Sequence, residues 1–136
     1  SMRKWLAGVG MCAVFTGAVA DAIPEGIKAW MKPNKVRVMQ LADGVLSIAF
    51  DVPLVSEELF RTQIKGLCQA PLVSNRYGWG NARIQRIDLL NDIGAQGWAL
   101  PGGRASCERL NSLGGTAADA YLTSQQRPIR AGRVQD

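Results

Sequence analysis

Cys68 and Cys107 are the residues of this sequence best placed to do chemistry, and that chemistry is a disulfide. The chain has three cysteines, and the third, Cys12, lies in an apolar N-terminal stretch. Removing that stretch would turn an odd count into a pair. A pair in an exported chain is a disulfide candidate. The two thiols are not in a C-x-x-C arrangement, so a redox-exchange site is not expected.

Other reactive constellations are largely missing. There is no histidine, which excludes Ser-His and Cys-His nucleophile systems and leaves a zinc site short of ligands. There is no phosphate-binding or dinucleotide fingerprint, and the "GWG" of residues 78–80 is too short to serve as one. Glu57 and Glu58 are adjacent, so on a helix they diverge by about 100° and cannot work as an acid/base pair. Asp88 and Asp92 flank a turn and read as solvated strand-end charges. No catalytic residue, metal ligand or cofactor is assigned.

One loop stands out for binding. In "NRYGWGN", Gly78 and Gly80 separate Tyr77 and Trp79 from their neighbours. The glycines could let the aromatics project beside Arg76 and Arg83 as a contact surface for sugar or protein. The alternative is that they fold down and cap an open end of the core.

The N-terminus bears on location. Arg3 and Lys4 precede an uncharged stretch, Trp5 to Ala20, and Ala20-Asp21-Ala22 places small residues at the two positions a signal peptidase reads. The stretch is shorter than the ~20 residues that span a bilayer comfortably. Residues 1–22 are therefore expected to be a signal peptide, with Ser1 ahead of Met2 read as a tag remnant and Ile23 as the mature start. An uncleaved anchor and a buried helix are the alternatives.

The elements that must position these residues follow from periodicity. "PEGIKAWMKP" lies between two prolines and reads as a short helical arm, 23–35. "VRVMQLADGVLSIAFDV" is a hairpin with Asp43-Gly44 at the turn. A two-residue turn pairs residues whose numbers add to 87: Leu41 with Leu46, Met39 with Ile48, Arg37 with Phe50. "SEELFRTQIKGLC" is a helix capped by Ser56, with Phe60, Ile64 and Leu67 on one face and Gly66 near its stop. "RIQRIDLL" and "QGWAL" read as a second strand pair, with Gly97 marking a bulge or close packing. "RASCERLNSLGG" is a second helix, striped by Cys107, Leu110 and Leu113, and Thr116 is expected to cap a short last one. Residues 123–136, with Arg127, Arg130 and Arg133, read as a loose basic tail, because Pro128 and Gly132 oppose a helix.

The expected fold is α+β: a small antiparallel sheet in ββαββα order, with two helices on one face, over residues 36–122. The net charge is +5, spread along the chain, and it names no anionic partner. The expected function is that of a periplasmic or secreted, non-catalytic accessory or binding protein in a cell-envelope assembly, such as a secretion or conjugation system. It would be stabilised by one disulfide. Its partner would be another envelope protein rather than nucleic acid, with no stable membrane insertion after cleavage. A small exported enzyme or enzyme inhibitor is the alternative.

Overall fold

The computed structural model describes residues 20–73 and 78–136. Residues 1–19 of the expected leader, Cys12 among them, lie outside the described residues, as do Arg76 and Tyr77. The described chain is mixed α+β, with seven strands in one sheet and four helices. In chain order these are β1 (Ala20–Asp21), α1 (Glu25–Met31), β2 (Val36–Ala42), β3 (Val45–Phe50), α2 (Glu57–Val73), β4 (Arg86–Leu90), β5 (Gly97–Pro101), α3 (Gly103–Asn111), α4 (Gly115–Gln125), β6 (Arg127–Arg130) and β7 (Arg133–Val134). The order ββαββα survives in the centre, from β2 to α3, and further elements flank it. The strands lie in the sheet in chain order.

The β2–β3 hairpin forms because Asp43 and Gly44 both adopt positive φ, 54° and 79°, as a turn matched to the strand twist requires. Leu41 pairs with Leu46 and Met39 with Ile48. The expected pairing of Arg37 with Phe50 does not occur. The register shifts between Val36 and Val38, and Val36 faces Phe50 instead. The shift takes Arg37 out of the apolar row, and its guanidinium lies 3.8 Å from the exposed Asp51 carboxylate. A one-residue bulge thus keeps the charge off the core face.

The sheet is not wholly antiparallel, as expected from sequence, because β3 and β4 run parallel. A parallel neighbour needs a long return, and α2 supplies it. Ser56 Oγ accepts the Leu59 amide at 3.0 Å and caps that helix. Phe60, Ile64 and Leu67 are fully buried along it. Gly66 does not end the helix. A Cβ there would lie 3.0 Å from Trp30 Nε1, so the glycine is where α1 comes close. The arm is correspondingly part of the domain: Ile27 and Met31 of α1 are fully buried.

Residues 123–136 are not a loose tail. They finish α4 and form β6 and β7, which extend the sheet beyond β5. The turn between them places Ala131 at φ 52° and Gly132 at φ 75°. Alanine seldom occupies that region, so the hairpin carries a weak sequence signal. Thr116 caps nothing: α4 begins from Gly114, with no side-chain cap.

The main core joins residues of all four helices to one face of the sheet, including Leu46, Ile48, Ile87, Leu89 and Leu100. Ala49, Leu90, Ala99 and Ile129 form a second cluster on the other face, with Val134 against it. Gln40 of β2 and Ile129 of β6 line the same cavity there, of about 190 Å³. Four strand spacings would separate them by roughly 19 Å in a flat sheet. The sheet is therefore curled, concave on the face away from the helices. Among the described residues no helix is long and apolar enough to cross a membrane.

Gly97 tests this packing. A Cβ at that position would sit 1.8 Å from the Leu89 carbonyl oxygen on β4. Gly97→Ala is expected to destabilise the fold by about 1–3 kcal/mol, as overpacking does, read from the denaturant midpoint. An unchanged midpoint would show that β4 and β5 separate freely at this place.

Candidate functional site

Cys68 and Cys107 are bonded, with Cα atoms 4.8 Å apart, inside the usual range for a disulfide. Cys68 lies in the second half of α2 and Cys107 in the middle of α3. Both are fully buried. Asn111 adds a second tie between the helices, its Nδ2 donating to the Cys68 carbonyl at 3.0 Å. A bond so enclosed is a structural staple rather than an exchange site.

Trp79 of the aromatic loop does not stand out as a contact residue. Trp79 is 1% exposed. Its indole N–H donates to the Leu67 carbonyl at 3.2 Å, near the middle of α2. The Arg104 guanidinium sits 5.1 Å from the ring centroid and donates to the Gly80 carbonyl at 3.2 Å. Trp79 therefore pins its loop onto α2, and a partner cannot reach it. Arg83 is exposed. Arg76 and Tyr77, the other two residues of the expected contact loop, lie outside the described residues.

The concave face of the sheet holds a better site. Its cavity is lined by Gln40, Ser47, Arg86, Asp88, Leu90 and Ile129, among others. Arg86 and Asp88 are two apart on β4, so both side chains point to the same side. Arg86 Nε and Nη2 donate to the two Asp88 carboxylate oxygens, each at 2.9 Å. Asp88 is 7% exposed, so the expected solvated strand-end charge is instead an enclosed ion-pair partner. It lies mid-strand because β4 runs on to Leu90. Sequence reading passed over Gln40, Ser47 and Arg86. The signal was present, since Arg86 and Asp88 alternate with Ile87 and Leu89, which face the helices.

This arrangement suits binding more than proton transfer. The two charges cancel, both Asp88 oxygens already accept from Arg86, and no second carboxylate lines the cavity. What it offers is an amide, a hydroxyl and the outer N–H groups of a guanidinium beside an apolar wall. The volume is below the ~300–1,000 Å³ of sites for drug-sized ligands. It suits a small polar group or an inserted side chain.

Several carboxylates elsewhere are engaged with cations or amides. Glu57 lies 3.7 Å from Arg61 and accepts from Gln126 Nε2 at 2.6 Å. Among the described residues no group of three or more His, Cys, Asp or Glu could hold a metal ion. Asp119 of α4 accepts from Lys65 of α2, and that hydrogen bond and charge lower its pKa from the ordinary 3.8. A lowered folded-state pKa stabilises above the unfolded value, and the benefit is lost as pH falls through the folded one. Asp119→Asn should therefore lower the melting temperature slightly near neutral pH. The difference from wild type should vanish in acid, as thermal scans across the acid range would show.

Trp79 gives a sharper test. Trp79→Ala empties a buried site and removes the tie to Leu67, so it is expected to cost about 3–5 kcal/mol. A small loss of stability in chemical denaturation would restore the ring to the surface.

Comparison with known proteins finds no matching family model, no matching curated protein and no matching solved structure.

Proposed function

We propose that this chain is an exported, non-catalytic binding protein of a bacterial cell-envelope assembly, acting outside the reducing cytoplasm. The Cys68–Cys107 bond is the observation that carries this reading. Disulfides of this enclosed, structural kind persist in oxidising compartments and are rare in the cytosol.

The exposure profile at the N-terminus supports it. Ala20, Asp21 and Ala22 are exposed, whereas Ile23 is partly buried and packs on the core. Cutting after Ala22 would forfeit the two-residue β1, whose partners are Ala42 and Leu41. The buried residues of α1 would stay. A start at Ile23 would thus keep the buried residues of α1 and lose only one two-residue edge strand of the described chain. The binding role rests on the concave cavity, whose polar groups recognise rather than activate. Secretion and conjugation systems are assemblies in which such an accessory domain fits.

The test is expression of the full chain in a bacterium, followed by fractionation. The expected product is periplasmic, begins at Ile23, and has an intact mass two hydrogens lighter than the dithiol. Reduction should then lower its stability by about 4 kcal/mol, the chain-entropy value for a loop of about 40 residues. Full-length protein in the soluble cytosol with both Cys68 and Cys107 as free thiols would overturn the reading.

A further inference from the structure

Cross-strand pairing lays out the concave face residue by residue. Gln40 pairs with Ser47, and Ser47 with Asp88. Residues paired across strands share a face, so a carboxamide, a hydroxyl and a carboxylate stand side by side in one row. Val45 and Arg86, also paired, border the row on one side. On the other side Leu90 and Ile129 belong to the aliphatic cluster of this face. All seven of these side chains line the cavity of about 190 Å³. Arg86 stands nearest its mouth, its side chain 39% exposed against 9% for Asp88.

The fold does not use up the hydrogen-bonding capacity of this row. Among the described residues neither the Gln40 amide nor the Ser47 hydroxyl has a protein partner. Arg86 gives its Nε and one Nη2 proton to Asp88, out of the five N–H donors a guanidinium holds. The fork between Nη1 and Nη2 is left over. Enclosed polar side chains elsewhere are treated differently. Asn91 donates to the Pro53 carbonyl and accepts two backbone amides, and Ser106 Oγ donates to the Pro101 carbonyl. Unspent donors and acceptors therefore converge in the cavity, with an aliphatic wall beside them. That is the usual make-up of a site that orients a ligand.

We propose, on the reading of the concave face as the binding site, that its cavity takes a neutral carboxamide on a short aliphatic stem, of the kind that ends a glutamine side chain. The ligand carbonyl accepts from the Arg86 fork. Its NH₂ group donates to the Gln40 carbonyl oxygen and the Ser47 hydroxyl oxygen, and the stem lies along Leu90 and Ile129. Charge decides against the carboxylate of the same shape. Asp88 already neutralises the guanidinium, so a second carboxylate would be repelled by the first while losing its own water. A cation would meet Arg86 in the same way. A neutral amide is far less costly to desolvate and can both donate and accept. A sugar ring fits less well, because among the described residues no aromatic side chain lines the cavity to stack on it.

NMR titration of the oxidised protein, produced from the full chain, tests this with isobutyramide, isobutyrate and methyl glucoside. The first two share a shape and differ in charge. Isobutyramide is expected to shift the signals of Gln40, Ser47 and Arg86 saturably, with a dissociation constant on the order of 10 mM for so small a ligand. Isobutyrate should bind about tenfold more weakly or worse. Gln40→Leu should weaken isobutyramide about tenfold with little change in melting temperature, because the fold does not use that amide. Arg86→Met and Asp88→Leu made together leave no unpaired charge behind and should abolish the shifts. N-acetylglutamine methylamide separates the sources of the group: binding as tight as isobutyramide assigns it to a polypeptide side chain, and binding of isobutyramide alone assigns it to a free amide. Tighter binding of isobutyrate or the glucoside at the same signals overturns the carboxamide and leaves the concave face a binding site. So do shifts by isobutyramide that survive both sets of substitutions. No shift by any probe up to about ten times that concentration overturns the inference and the binding role of the cavity together, while the export reading still stands or falls on fractionation.

Discussion

The burial of one face of α2 against the sheet is the constraint on which the rest of the structure depends. Phe60, Ile64, Leu67 and Cys68 are all fully enclosed along that face. Burying each such side chain stabilises by about 1.5–3 kcal/mol, so the position of the helix is strongly fixed. Every other helix is then fastened to α2 by a different kind of contact. Gly66 admits the Trp30 indole of α1, Cys68 bonds Cys107 of α3, and Lys65 pairs with Asp119 of α4. The loop after α2 returns through Trp79 to the Leu67 carbonyl. These attachments all fall between Lys65 and Cys68, in about one helical turn. The disulfide therefore does more than close a loop, because it sits where three other attachments converge.

What could be read from the sequence divides along physical lines. The β2–β3 hairpin was legible because Asp43-Gly44 states its turn and two apolar rows state its register. The stripe of α2 was legible because period 3.6 is strong over that length. The pairing of Cys68 with Cys107 followed from their placement on the apolar stripes of two helices. Other features depend on contacts that no local pattern carries. The direction of β4 is set by the path of α2. The bulge at Arg37 is set by the cost of placing a guanidinium opposite Phe50. The β6–β7 hairpin turns on an alanine with positive φ, and its three arginines obscured it as a basic tail. Trp79 between glycines fits a projecting loop and a folded-down one equally well, and only the carbonyl at Leu67 decides between them.

The net charge of +5 is a poor guide to partners for a related reason. Arg104 caps the Trp79 ring and holds a loop carbonyl. Arg127 Nη1 gathers the carbonyls of Ser124, Gln125 and Gln126 at the end of α4, where cations are favoured by the helix dipole. Arg86 is committed to Asp88. These three lie at the end of the sheet near the starts of β4 and β6, and each neutralises or caps something in its own chain.

The Arg86–Asp88 pair is the feature that stability explains least. It lies on a concave face whose neighbours Ala49, Leu90, Ala99 and Ile129 already form an apolar cluster. Burying the Asp88 carboxylate costs desolvation that attraction to a part-exposed Arg86 does not readily recover, and apolar replacements of such buried charges are frequently no worse. The small side chains nearby are accounted for by the curl, since a concave face crowds its residues and alanine and serine relieve the crowding. The charged pair is not accounted for that way, because a leucine alternating with Ile87 and Leu89 would fill the space as well. What the pair adds is orientation. A guanidinium held at two points by Asp88 presents its remaining N–H groups in a fixed direction, beside the Gln40 amide and the Ser47 hydroxyl. A donor array fixed in this way loses little conformational freedom when it meets an acceptor, and that advantage is realised in recognition rather than in folding.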